Sequence, residues 1–160
     1  DPRTVKRADM FKNKMAQIAP KVQIVTQEIQ TYHPDDKTNT AKASIQGALT
    51  KDPDIAGIYA NDDDLAYFTY QTIDQTPSKE ENLKNLKAVF GCGGSNKMQD
   101  VIKNSKLSGI EFATIECSPE IGAYLTDEMA QILRYGMPSE KNRIFYPGKV
   151  IDKSNADPKQ

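Results

Sequence analysis

The residues with the clearest chemical potential are one amide and three carboxylates, Asn61 to Asp64, which follow a short apolar run. The run from Ile55 to Tyr59 is typical of a buried strand, and helical apolar spacing follows Asp64. In open α/β sheets, ligands bind outside the carboxyl ends of the strands, so Asn61 and Asp62 lie where a small polar molecule would be held. The alternative is that these acids only cap the following helix, because Asp is a favoured N-cap residue and acids suit a first helical turn.

Polar or glycine-rich turns also follow three other strand candidates. They are Tyr32 to Asp36, Cys92 to Ser95 and Glu116 to Pro119. Right-handed crossovers place all strand-to-helix turns of a parallel sheet on one edge, so these turns and the Asn61 turn are expected in one neighbourhood. Their carboxylates, amide, imidazole, hydroxyl and backbone N–H groups suit a polyhydroxylated ligand, whose hydroxyls donate and accept hydrogen bonds.

Composition and the absence of certain motifs argue against several other functional classes. The 160 residues carry 21 basic and 22 acidic side chains with no basic stripe, so nucleic acid is not an expected partner. The sequence has no phosphate-binding glycine motif, no nucleophile elbow and no zinc-protease helix. Cys92, Cys117 and the single histidine, His33, lack metal-ligand spacing, so neither a metal nor another cofactor is expected.

Cys92 and Cys117 end two strand candidates that a parallel sheet would bring close together. Two buried thiols are the ordinary interpretation, and a disulfide in an oxidising compartment is the alternative. A further hypothesis is catalysis by one of these thiols with His33. It requires an exposed thiol of lowered pKa within hydrogen-bond reach of the imidazole.

A repeated strand-then-helix pattern must position these residues. Helices are predicted from Arg3 to Ile18, with Val5, Met10, Met15 and Ile18 as the apolar stripe, and after Asp36, Asp62, Ser95 and Ser118. Strands are predicted within VQIVTQEI, before Asn61, and within LKAVFGCGG, FATIEC and RIFYPGKVID. Five strands separated by four helices, each connection long enough for a crossover, predict an α/β fold with a mostly parallel sheet and helices on both faces.

Several segments in this order carry a family resemblance. They are R-x-x-x-F at Arg7 to Phe11, DPDIAGIYANDDDLA at Asp52 to Ala66, LKAVFGCGGS at Leu86 to Ser95, KLSGIEFATIECSPEIG at Lys106 to Gly122, and the closing IDKSNAD. Together they resemble the second half of a type I periplasmic solute-binding protein, in the sugar-binding group of ABC importers. DPDIAGIYANDDDLA is the most specific of them.

The resemblance implies a two-lobed hinged clamp that binds ligand between its lobes and presents the closed form to an ABC transporter permease or membrane sensor. Residues 1–110 would form most of the C-terminal lobe. Residues 111–138 would be a hinge-crossing strand and helix of the N-terminal lobe, and residues 139–160 the return and tail. The N-terminal lobe would be a missing partner, so the chain is expected to be a fragment or a separately encoded half.

The resemblance also assigns ligand contacts position by position. Asp62 matches the family's strand-end amide or acid that takes sugar hydroxyls, with Asn61 beside it. Gly93 stands where the family usually places an aspartate, which removes one acceptor. Glu116 or Cys117 matches the polar position on the hinge strand.

The expected function is therefore binding of a sugar or similar small polar ligand by a periplasmic or extracellular protein, lipid-anchored or not, and not an enzymatic one. The same fold could instead serve as the sensing domain of a transcriptional repressor or a sensor kinase. The resemblance places Asp36 nearest the position of the family's stacking aromatic, so Tyr32 or His33 would substitute for it, although a solvated loop residue is the ordinary interpretation of His33.

Overall fold

The structure is a computed structural model that describes residues 2–25, 37–76, 83–116 and 148–158. Its helices are α1 (Pro2–Ile18), α2 (Lys37–Lys51), α3 (Asp63–Gln75) and α4 (Asn96–Asn104). Its strands are β1 (Gly57–Tyr59), β2 (Ala88–Gly93), β3 (Glu111–Glu116) and β4 (Val150–Ile151). The alternation of helices and strands predicted between residues 37 and 116 is confirmed. The predicted helix after Ser118 lies outside the described residues.

The four strands form one sheet in the order β1-β2-β3-β4. β1, β2 and β3 are mutually parallel, with Gly57 paired to Ala88 at one end and Gly93 paired to Glu116 at the other. β4 runs antiparallel to β3. The mostly parallel α/β sheet predicted from the sequence is therefore confirmed, and the carboxyl ends of its three parallel strands share one edge.

One face of the sheet is covered by α3 and α4. Val89 of β2 and Phe112 of β3 are paired in register, and both belong to the buried core. Ile73 of α3 and Met98 of α4 are fully buried in the same cluster. α2 adds an apolar face through Leu49 and two further buried residues, Ala41 and Ile45.

The opposite face is covered by α1 at the β1 side. Tyr59 of β1 is paired with Phe90 of β2, so both side chains point to this face. The ring of Phe11 stacks on the ring of Tyr59, with centroids 4.4 Å apart and planes 7° from parallel. Helices therefore lie on both faces, as predicted.

The predicted apolar stripe of α1 is wrong, although the helix itself is present. Val5, Met10 and Ile18 are exposed, whereas Phe11 and Met15 are partly buried. Apolar spacing alone predicts the stripe, whereas the face of α1 that contacts the sheet is fixed by the stack of Phe11 on Tyr59.

The strand predicted within VQIVTQEI does not form in its described part, residues 22–25. Val22 and Val25 are 54% and 62% exposed. A strand is defined by a pairing partner, and β1 pairs only with β2 among the described residues. High β-propensity is therefore not sufficient at this position.

The segment 148–158 returns to the sheet from the far end of the sequence. The backbone N–H of Glu116 donates to the carbonyl oxygen of Lys149 at 2.8 Å. Ile151 is buried in the core, and the backbone N–H of Asp157 donates to Gln99 Oε1 at 2.9 Å. The segment therefore packs against both β3 and α4.

No helix in the described ranges is long and apolar enough to cross a membrane.

The two glycines Gly47 and Gly91 give a matched test of this packing. A Cβ on Gly47, inside α2, would meet nothing within 4 Å, so Gly47→Ala should raise the free energy of unfolding by roughly 0.5–1 kcal/mol. A Cβ on Gly91 would overlap Asp63 Oδ1 and lie 3.1 Å from Ala66 Cβ. Gly91→Ala should therefore destabilise the fold, by about 1–3 kcal/mol.

Urea unfolding of both variants measures these changes. A Gly91→Ala protein as stable as the Gly47→Ala protein would contradict the close packing of α3 on β2.

Candidate functional site

Asp62 is the N-cap of α3. Its backbone is extended, and its Oδ1 accepts the backbone N–H of Leu65 at 2.7 Å. The side chain is exposed at the carboxyl end of β1. The capping interpretation is thus confirmed. The Asp62 carboxylate can still accept further hydrogen bonds, because its two oxygens offer about four acceptor positions and the cap uses one.

Asp63, the next residue, is buried and joins the ends of three strands. Its Oδ2 accepts the backbone N–H of Ser95 at 2.6 Å, and its Oδ1 accepts the hydroxyl of Thr114 at 2.5 Å. Ser95 follows β2 and Thr114 lies in β3, while Asp63 itself follows β1. One carboxylate therefore links the start of α3, the turn after β2 and strand β3.

The glycine turn after β2 depends on that carboxylate. Gly94 has a φ of +72°, which favours glycine, and its N–H donates to Thr114 Oγ1 at 3.3 Å. A Cβ on Gly93 would lie 3.1 Å from Asp63 Oδ2. The turn ends at Ser95, whose hydroxyl accepts the backbone N–H of Met98 and caps α4, as predicted.

Glu116 ends β3 directly beside this turn. A Cβ on Gly94 would lie only 2.9 Å from Glu116 Cα, so the two backbones are in close contact. On its other side Glu116 is held by Lys149, and a Cβ on Gly148 would lie 2.6 Å from the Glu116 carbonyl oxygen. The Glu116 side chain is half-buried.

Asn61 is half-buried and makes a contact that the sequence did not reveal. Its carbonyl oxygen accepts a hydrogen bond from Arg7 of α1 at 3.0 Å. Its side-chain Oδ1 is the one buried side-chain polar atom in the described residues without a hydrogen-bond partner. From the sequence, Arg7 stands out only as part of the R-x-x-x-F motif, and no contact is predicted for it. The missed signal is its spacing from Phe11, which places both side chains over the β1 end.

The structure therefore brings Asn61, Asp62, Gly93 and Glu116 to one edge of the sheet. Cys117, also predicted to contact ligand, lies outside the described residues, as do Tyr32 and His33. Pairing of Cys117 with Cys92, and thiol catalysis with His33, consequently stay predictions. The ligand contacts assigned to the four described positions also stay predictions.

The edge can supply hydrogen-bond acceptors more readily than it can hold a metal. The side chain of Asp62 is exposed, and Glu116, at the end of β3, is half-buried. No group of three or more potential metal ligands occurs within the described part of the chain. Carboxylates accept hydrogen bonds from hydroxyl or ammonium groups, and such bonds are stronger than those between neutral partners.

Two cavities, of about 290 and 390 Å³, lie at the opposite edge of the sheet. They are lined by the residues that precede β2 and β3, including Lys84, Lys87 and Lys106. Their walls lack the carboxylates and glycine turn described above. We therefore place the candidate site at the carboxyl edge.

Tyr59 connects the site to α1. Burial raises the pKa of its hydroxyl above the ordinary value of 10.0, the nearby Cys92 thiolate raises it further, and the positive charge of Arg7 opposes both effects. The neutral phenol is therefore the form that the folded protein favours.

An α/β lobe with acceptor groups gathered at the carboxyl ends of parallel strands is the architecture of a small-molecule binding domain. Residues 1–136 match the family model of the periplasmic binding protein domain. The chain thus belongs to the periplasmic binding protein family, whose fold is the type I α/β fold expected from the sequence. No curated protein matches the chain.

Solved structures agree with this fold. An ABC transporter solute binding protein from Mycobacterium smegmatis with bound glycerol is 24% identical, with a TM-score of 0.58 over 90% of this chain. A galactofuranose binding protein is 15% identical, with a TM-score of 0.60 over 89% of this chain. A further protein from Mycobacterium smegmatis is 18% identical, with a TM-score of 0.62 over 91%. The chain spans 45% of the length of each of these proteins, and at these identities the likeness shows the fold alone.

Replacement of Asp62 should separate its capping role from its charge. Asp62→Ala removes the acceptor for the Leu65 N–H and should lower the free energy of unfolding by about 0.5–2 kcal/mol. Asp62→Ser keeps an N-cap oxygen and should stay within a few tenths of the wild-type value, as judged by urea unfolding. If both variants lose the same free energy of unfolding, Asp62 does not stabilise the protein through its N-cap hydrogen bond.

The raised pKa of Tyr59 predicts an alkaline loss of stability. The unfolded chain ionises the phenol first, so this contribution is complete below about pH 10 and is lost as the pH rises through the folded value. Tyr59→Phe should make the stability curve flatter above that pH. Urea unfolding across alkaline pH checks this, and a Tyr59→Phe curve parallel to the wild type would contradict it.

Proposed function

We propose that this chain is part of an extracytoplasmic solute-binding protein that holds a sugar or a similar small polar molecule for uptake by an ABC-type transporter. The site would be the carboxyl edge of the sheet, facing a second lobe across a cleft. The protein would bind and release its ligand unchanged, without catalysis.

The observation that carries this proposal is the convergence of three strand ends. Asp62, Gly93 and Glu116 lie at the ends of three separate strands, and the Asp63 network and close backbone contacts hold those strand ends together. Such an edge gathers carboxylates and glycine backbone from three strand ends. These groups suit a ligand with several hydroxyls, since each hydroxyl both donates and accepts.

Asn61 adds a second reason to expect a polar ligand here. A buried amide oxygen without a partner is costly in a folded protein, and such atoms in native structures call for a specific explanation. A ligand hydroxyl or a bridging water would satisfy it. Asn61 directly precedes Asp62, so the atom that needs a hydrogen-bond donor lies next to a residue of the proposed site.

Two of the structural neighbours bind polyhydroxylated molecules: one is a galactofuranose binding protein and one contains glycerol. Their chemistry supports a ligand of the same class. Since the chain spans less than half of those proteins, we infer that it supplies one lobe, formed mainly by residues 1–110 and 139–160. Residues 111–116 form β3 of this lobe's sheet, so residues 117–138 would connect to the other lobe, where the site would be completed.

A thermal-shift screen of the natural full-length protein tests the proposal. The panel contains pentoses, hexoses and linear polyols, with glycerol included. A specific ligand at roughly 100 times its Kd adds about 2.7 kcal/mol to the stability, which raises the melting temperature by several degrees.

Asp62→Ser should remove most of that shift while the unliganded melting temperature stays close to the wild-type value, because the cap remains and the carboxylate is lost. Asp64→Ser is the matched control: it deletes a neighbouring exposed carboxylate from the same helical turn and should keep the shift. Retention of the full shift by Asp62→Ser would place the ligand elsewhere, and no shift with any sugar or polyol would refute the ligand class.

A further inference from the structure

We propose that Asp63 and Thr114 are positioning residues for the ligand site. These two residues would not contact the ligand. They would fix the position of the Gly93–Ser95 turn relative to Glu116 and Asp62. The part of this inference that concerns affinity rests on the proposed function. The part that concerns the turn rests on the contacts alone.

The pair forms a buried hydrogen-bond chain. Asp63 is 5% exposed and Thr114 is fully buried. The Gly94 N–H donates to Thr114 Oγ1, and the same hydroxyl donates its proton to Asp63 Oδ1. Asp63 Oδ2 accepts the Ser95 N–H in addition. Two successive amides of the turn are thus held, one by each residue of the pair.

The location of Asp63 explains how a carboxylate is tolerated there. It is the first residue of α3, and its Oδ2 accepts the backbone N–H of Ser95, the N-cap of α4. The amino ends of two helices therefore meet at one carboxylate, and the positive end of each helix dipole favours a negative charge. A neutral side chain of the same shape would lose this attraction.

The packing around the pair leaves the turn little freedom. A Cβ on Gly91 would overlap Asp63, and a Cβ on Gly93 would lie 3.2 Å from the Asp63 carboxyl carbon. The turn in its present position is also in backbone contact with Glu116. A shift of the Asp63 carboxylate would therefore move the turn relative to both Asp62 and Glu116. Binding sites need their groups held within roughly 0.5 Å, so such a shift should weaken binding.

Two variants of Thr114 give the sharpest test. Thr114→Val keeps the shape but removes the hydroxyl, which leaves the Gly94 N–H and Asp63 Oδ1 without their shared partner. Thr114→Ser keeps the hydroxyl and serves as the rescue variant. Asp63→Asn is an independent probe, because its amide nitrogen cannot accept a hydrogen bond and one of the two donors to residue 63 loses its acceptor.

Two readouts are compared in the natural full-length protein. The first is amide hydrogen exchange of Gly94 and Ser95 without ligand. The second is the Kd of the pentose, hexose or polyol that gives the largest thermal shift with the wild type. Thr114→Val should speed exchange at Gly94 by about tenfold and weaken affinity by a similar factor. Asp63→Asn should speed exchange at Ser95, or at Gly94 if the amide oxygen stays on the Ser95 N–H and the contact with Thr114 is the one lost, and it should weaken affinity likewise. Thr114→Ser should keep wild-type values of both.

A core variant separates positioning from general loss of stability. Ile73→Val removes one methylene group from the buried part of α3, well along the helix from Asp63. It should lower the melting temperature but change neither the Gly94 exchange rate nor the Kd. If Ile73→Val weakens binding as much as Thr114→Val at an equal melting temperature, the pair acts through stability alone and the inference is overturned.

The remaining outcomes are also decisive. Unchanged exchange at Gly94 in Thr114→Val overturns the inference, and so does faster exchange with an unchanged Kd. If Thr114→Val does not fold, Asp63→Asn is judged by the same criteria. If the wild type binds none of the panel, the proposed function fails, and the exchange rates alone then decide whether the pair sets the turn.

Discussion

The buried carboxylate of Asp63 is the constraint on which the carboxyl edge of the sheet depends. It follows β1, accepts an N–H from the turn after β2 and accepts a hydroxyl from β3. Parallel strands bring their ends to the same edge, but that alone leaves the intervening turns free to vary. Asp63 converts three neighbouring strand ends into one fixed arrangement, and the polar groups displayed there take their positions from it.

The glycines of β2 and its turn are the counterpart of that carboxylate. The segment GCGG leaves two inward-facing positions without side chains, and the carboxylate occupies the space that a Cβ would fill. A glycine-rich strand end is usually explained by close approach of a ligand to the backbone. Here the inner glycines are explained by the approach of Asp63, while Gly94 brings the turn against Glu116.

The local features of this site could be predicted from the sequence, and the long-range ones could not. Asp62 and Ser95 were identified as caps because capping acts over three residues. Asp63 was read only as an acidic first-turn residue, since its partners lie 32 and 51 positions away and no spacing rule connects them. The crossover rule and the family resemblance both indicate this edge as a site, but neither predicts what holds the edge together.

The same limit explains the errors elsewhere. Periodicity predicted α1 correctly as a helix but chose the wrong face, because the face is selected by the stack of Phe11 on Tyr59. β-Propensity favoured a strand at residues 22–25, where the described chain offers no neighbour to pair with. In both cases the deciding contact lies outside the window in which the pattern is read.

The return of the chain at β4 has a consequence for the order in which the protein is made. Glu116 is held by Lys149, and the segment that follows packs Ile151 into the core and bonds to α4. On the ribosome, residue 116 leaves the exit tunnel well before residue 149. The position of Glu116 is therefore completed only after residues 148–158 have emerged, so a nascent chain has the ends of β1 and β2 before it has the complete carboxyl edge of the sheet.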